Sequence, residues 1–190
     1  GSYPGSGTAW TDISGNGNHA TLYNSPVHSK EGGGNLAFAK ASYRYAETNS
    51  DLGTMSSWTC EAWTRLDSQL TTGTNAIITN AYDGTNLNYC LGSIVSGGDT
   101  KLYAAFANAG GWKYVTTGKA LTIGVWYHVV GTYDGSLISL YVNGTLIGTS
   151  TGTPGASASG GNTRISRRWD SVANDVGNFV DGSVPIVRVY

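Results

Sequence analysis

Three aromatic residues set among polar neighbours are the part of this sequence best equipped for chemistry. Trp112 and Tyr114 alternate along a short strand-like run, and Trp169 stands in Arg167-Arg168-Trp169-Asp170 with polar residues on both sides. Flat indole and phenol faces stack on the C–H faces of sugar rings, and aromatics flanked by polar groups are the usual centres of binding surfaces. Asn108, Asp170 and Asn174 lie close enough in sequence to exchange hydrogen bonds with sugar hydroxyls. These six residues form the candidate ligand site, on the condition that folding brings their segments to one end or face. Tyr82 and Tyr89 also lie beside loops, whereas Trp58, Trp63 and Trp126 fall within strand patterns and are expected in the core or on a sheet face.

Acid–base and metal chemistry find less material. The chain has only three glutamates, Glu31, Glu47 and Glu61, and no close pair of carboxylates on one strand face. Glycosidic hydrolysis needs two carboxyl groups across the scissile bond. Glu61 is expected to face solvent or an ion pair. His19, His28 and His128 share no metal-ligand spacing, and His128 alternates with Trp126 and Val130 as a packed strand residue does. No serine sits in a nucleophile elbow. Asp12-Ile-Ser-Gly-Asn-Gly-Asn18 imitates the start of a calcium loop, but Tyr23 stands where a bidentate glutamate belongs, so Asp12, Ser14 and Asn16 read as caps of backbone amides in a tight turn. Gly15-Asn-Gly-Asn-His-Ala20 fits a degenerate dinucleotide fingerprint, but a β-type run follows it where a helix should start. Asn143-Gly-Thr145 is a sequon that its role as a turn explains.

The elements that would position these residues are strands. Trp126–Gly148 reads as three strands joined at Asp134-Gly135 and Asn143-Gly144, dipeptides that tolerate the positive φ of two-residue hairpins. Between the turns Ile138, Leu140 and Val142 alternate with Ser139 and Tyr141, the signature of a half-buried antiparallel strand with the aliphatic residues inward. Further strands are expected at 21–23, 36–39, 43–46, 57–66, 76–80, 88–94, 102–108, 112–116, 162–166 and 182–190, and 149–161 reads as a long surface loop. No stretch of ten residues has helical periodicity free of glycine. The rhythm of short strands and turns predicts an all-β, two-sheet antiparallel jelly-roll sandwich, as a single domain over residues 1–190.

Composition narrows the setting. Charged residues make up 12% of the chain, about half the usual share, while Gly (28), Tyr (12) and Trp (6) are abundant. That suits an extracellular or particle-surface protein. A net charge of −1 offers no electrostatic case for nucleic acid, and no apolar run is long enough to insert in a membrane. Cys60 and Cys90 each sit in an apolar strand pattern and are expected as two buried thiols rather than a disulfide. The chain opens in loop-like residues and stops within an apolar strand, which suggests a piece of a longer protein.

Four motifs in order carry a family resemblance. Trp10-Thr-Asp-Ile-Ser-Gly-Asn-Gly-Asn-His-Ala-Thr-Leu22, Ser57-Trp-Thr-Cys-Glu-Ala-Trp63, Trp126–Gly148 and Gly182–Tyr190 resemble the opening, core strand, central hairpins and closing strand of laminin-G-like domains of the concanavalin A-like lectin/glucanase superfamily. The lead-in Ser2–Thr8 is similar to the variety found in tailed-phage structural proteins. The resemblance implies a concanavalin A-like sandwich. It also implies carboxylates in an E-x-D-x-x-E strand motif in the glucanase branch, which this chain lacks. Some relatives hold calcium through an acidic residue after the second strand. Here that position reads Phe38-Ala-Lys40, leaving Asp83, Asn86, Asp170, Asn174, Asp175 and Asp181 as loop oxygens, so neither calcium nor another cofactor is expected. The function implied is a non-enzymatic surface module, on a virion as capsid decoration or tail attachment, acting through other virion or cell-surface proteins or glycans. The alternatives are a secreted bacterial carbohydrate-binding or adhesion module and, against the carboxylate census, a glycan hydrolase with degenerate residues.

Overall fold

The computed structural model describes residues 3–30, 33–80, 82–156, 161–168 and 179–190. Among the described residues fifteen strands build two antiparallel sheets. In chain order they are β1 (Ala9–Trp10), β2 (Ala20–Tyr23), β3 (Val27–Ser29), β4 (Asn35–Phe38), β5 (Tyr45–Thr48), β6 (Trp58–Leu66), β7 (Thr74–Thr79), β8 (Leu87–Ser96), β9 (Asp99–Asn108), β10 (Gly111–Thr116), β11 (Trp126–Tyr133), β12 (Leu137–Val142), β13 (Thr145–Thr151), β14 (Arg164–Ile165) and β15 (Gly182–Val189). One sheet has the order β1-β2-β5-β14-β7-β8-β9-β10, the other β13-β12-β11-β6-β15-β4-β3. A 3-10 turn at Lys40–Ser42 leads from β4 toward β5.

The sandwich follows from period-two patterning. In β6, Trp58, Cys60, Ala62, Thr64 and Leu66 are buried while Thr59, Glu61, Trp63 and Arg65 face out. Ile138 and Leu140 lie fully in the core with Val142 packed against it, as the alternation predicts. Facing them from the other sheet are Leu102, Ala104 and Phe106 of β9. The core is closely filled at Gly131 of β11, where an added Cβ would stand 2.9 Å from the Ala104 Cβ.

The turns carry one correction. Asn143 and Gly144 both have positive φ, 51° and 78°, as a primed two-residue hairpin requires. At Asp134-Gly135 only the glycine does. Asp134 instead caps the loop, its Oδ1 accepting from the backbone N–H of Ser136 (2.9 Å) and Leu137 (2.8 Å). Both cysteines are free and buried, Cys60 between the sheets and Cys90 beneath the outer face of the eight-stranded sheet.

Candidate functional site

The β9–β10 hairpin carries two of the candidate aromatics. Its register sets Trp112 against Ala107, Tyr114 against Ala105 and Thr116 against Tyr103, all on the face turned away from the core. Alanines opposite large rings leave room for those rings to lie across the sheet. Ala76, Leu87, Cys90, Tyr103, Ala105 and Ala107 form a second apolar cluster there, with Tyr82, Ile94 and Trp112 packed against it. Beside it opens a hollow of about 230 Å3 lined by Thr74, Ile94, Tyr103, Trp112, Tyr114 and Arg168. Tyr114 is 50% exposed in its wall.

The polar groups around the hollow are fixed from beneath. Tyr103 donates its hydroxyl to the Asn75 carbonyl at 3.0 Å and lies 3.1 Å from the Cys90 sulfur. Burial pushes the Tyr103 phenol well up and the Cys90 thiol to about 11, so both stay neutral near pH 7. Arg168 donates Nη1–H to the Thr74 hydroxyl. Tyr82 meets Trp112 edge-on at 5.5 Å, and its own hydroxyl donates to the Gly84 carbonyl at 2.7 Å. Asp83 closes that turn, its Oδ1 accepting from the N–H groups of Thr85 and Asn86 at 2.8 and 2.6 Å. The hollow therefore offers two aromatic walls, an apolar floor, a guanidinium and hydroxyls, a set suited to a polar ring with flat C–H faces.

The other candidates divide. Asn108 is used elsewhere: its Nδ2 donates to the Thr153 carbonyl at 2.6 Å and its Oδ1 accepts from Gly110 N–H at 2.8 Å. These bonds shape the hairpin turn. Trp169, Asp170 and Asn174 lie outside the described residues; Arg168, the residue before Trp169, does line the hollow. Tyr89 is core, with its hydroxyl 2.5 Å from that of Thr163. Sequence reasoning missed Thr74, Ile94, Tyr103 and Arg168. Tyr103 sits in a strand that is apolar on both faces, so alternation could not assign it a side.

Four of the described carboxylates make ion pairs or cap turns. Glu61 Oε1 accepts from Arg188 Nη1 at 2.6 Å and lies 3.1 Å from His128 Nε2, on the outer face of the seven-stranded sheet. Glu47 is bonded to Arg164 at 2.6 Å and Asp67 to Arg65 at 2.9 Å, while Glu31 lies outside the described residues. Asp12 accepts from Ser14 N–H (2.8 Å) and Asn18 N–H (2.9 Å), the turn-capping role expected of it. Lys40 donates its ammonium to the Ser68 hydroxyl at 3.2 Å. Among the described residues no three His, Cys, Asp or Glu side chains gather as a metal cage. No helix among them is long and apolar enough to cross a membrane.

A family model described as the concanavalin A-like lectin/glucanases superfamily matches residues 38–190. No curated protein matches the sequence. Among solved structures, domain 4 of AbnA, a GH43 extracellular arabinanase from Geobacillus stearothermophilus in complex with arabinotriose, aligns with a TM-score of 0.73 at 16% identity, covering 95% of this chain and 85% of that one. A putative carbohydrate binding protein from Bacteroides ovatus aligns with a TM-score of 0.57 at 24% identity, covering 77% of this chain and 40% of that one. The enzymatically active domain of tailspike protein 2 of bacteriophage CBA120 aligns with a TM-score of 0.61 at 13% identity, covering 90% of this chain and 28% of that one. At these identities the likeness is one of fold.

Proposed function

This chain belongs to the concanavalin A-like lectin/glucanases superfamily, and from that premise we propose that it is a non-catalytic binding module whose ligand, a glycan, seats in the hollow walled by Trp112 and Tyr114. The observation that carries this reading is the pairing of those rings with the alanines of β9, which spreads aromatic surface over a face flanked by Arg168 and Thr74. Trp169, Asp170 and Asn174 remain part of the proposal through their place next to Arg168 in the chain. Non-catalysis is supported by the described glutamates, Glu47 and Glu61, which lie on different sheets, each held by an arginine of its own sheet.

The setting we assign is the surface of a virion, as a capsid or tail component contacting other virion proteins or host glycans. Its support is the phage-like lead-in Ser2–Thr8, to which the tailspike likeness adds a compatible fold. The alternative, a secreted bacterial carbohydrate-binding module, is favoured by the fuller coverage of the arabinanase domain. Mass spectrometry of purified particles against culture supernatant separates the two.

Glycan-array screening followed by calorimetry tests the site. A saturable glycan should bind without release of reducing ends, and Tyr114→Ala should weaken it about tenfold or more, the loss of one stacking partner, with the melting temperature little changed. Unaltered affinity in Tyr114→Ala would remove the hollow from consideration, and turnover dependent on Glu61 or Asp67 would make the chain an enzyme.

A further inference from the structure

The edge of the sandwich away from β10 and β13 holds a larger cavity, and its chemistry differs from that of the Trp112 hollow. β1 and β3 are the last strands of their sheets on this side. Trp10 of β1 and His28 of β3 line a space of about 390 Å3 whose side-chain lining also includes Tyr3, Lys30 and Asn35. That volume lies within the range of small-ligand sites.

Trp10, mostly buried, lines the cavity, and Tyr3 meets the His28 ring edge-on at 5.4 Å. The imidazole is flanked by two glycines in the left-handed region. A Cβ on Gly5 would lie 3.3 Å from Nδ1 and one on Gly34 3.5 Å from Nε2. Glycine at these positions leaves the ring edge in reach of a small molecule. Lys30 is exposed and lines the space. Two aromatic walls, an ammonium and an imidazole make a pocket for a ring that carries negative charge.

We propose that this cavity is a second ligand site, which takes a sugar ring bearing a carboxylate, the ring against Tyr3 and Trp10 and the carboxylate on the Lys30 ammonium with His28 beside it. The site is independent of the Trp112 hollow and stands if that reading fails.

The test is titration of the chain with sodium glucuronate and, separately, glucose, followed by calorimetry and by the assigned indole N–H resonance of Trp10. Glucuronate should saturate and shift the Trp10 signal, and glucose should leave the Trp10 signal in place. Lys30→Gln, at an exposed position, should weaken glucuronate about tenfold, as loss of a charge-assisted contact does. Tyr114→Ala should leave this binding unchanged. The proposal is overturned if glucuronate does not bind, if glucose shifts the Trp10 signal equally, if both Lys30→Gln and His28→Ala retain full affinity, or if the shifts fall on Trp112 instead of Trp10.

Discussion

Asp12, Asp83 and Asp134 show what single residues contribute here. Each carboxylate accepts backbone N–H bonds within its own loop, and those bonds hold its pKa below the ordinary 3.8. A carboxylate with a depressed folded-state pKa stabilises the fold above its unfolded value, and that contribution disappears as pH falls through the lowered value. The denaturation midpoint should therefore hold down to about pH 4, where the unfolded carboxylates begin to titrate, and decline below it. Asp83→Ala should flatten part of that decline. A wild-type midpoint that is level between pH 4 and pH 2 counts against the caps. At this scale the sequence was readable where a side chain has one strong local use, as with Asp12 in its turn. It was less readable where two uses compete: Asn108, a ligand candidate by sequence, also donates to the Thr153 carbonyl. The contribution of Arg168 could not be foreseen, because it depends on where β14 falls in the sheet, between β5 and β7.

The elements were legible wherever alternation was clean. The run Trp126–Tyr133 is a strand to the residue, and the Asn143-Gly144 turn has the expected geometry. Ala9–Trp10 and Val27–Ser29 were missed because strands of two and three residues carry no periodicity; they exist through pairing with β2 and β4. Gly131, in the middle of β11, is a packing requirement. Gly131→Ala should cost about 1–3 kcal/mol by overpacking against Ala104, Leu91 and Trp58. Urea denaturation measures it, and Ala104→Gly in the same chain should recover part of the loss; purely additive losses would place the strain elsewhere. The loops allow a metal prediction too. Asp12 and Asp83 spend their oxygens on amides, and an ammonium stands at Lys40. Chelation should leave the melting temperature unchanged. A site filled at a hundredfold excess over its dissociation constant would contribute about 2.7 kcal/mol, and its removal would show clearly.

For the whole molecule, the decisive feature is that chain order and sheet order disagree. β15 lies between β6 and β4, pairing Val187 with Ala62 and Val184 with Leu36. Without it β4 and β3 have no link to the rest of their sheet, and the cavity lined by Trp10, His28 and Asn35 loses a wall at Pro185. Val184 is fully buried, so removing β15 exposes core as well as backbone. By contrast, the Trp112 hollow is built from β7 to β10 and Arg168, in the other sheet. Loss of one strand from the interior of a sandwich should nonetheless abolish folding of both sheets, because each supplies one side of a single shared core. Deleting residues 182–190 should remove the cooperative urea transition and the near-ultraviolet circular dichroism of the buried aromatics, and glycan binding at Tyr114 with them. A truncated chain that keeps a sharp transition and binds through Tyr114 would show that the eight-stranded sheet is stable alone, and that the seven-stranded sheet is dispensable to that site.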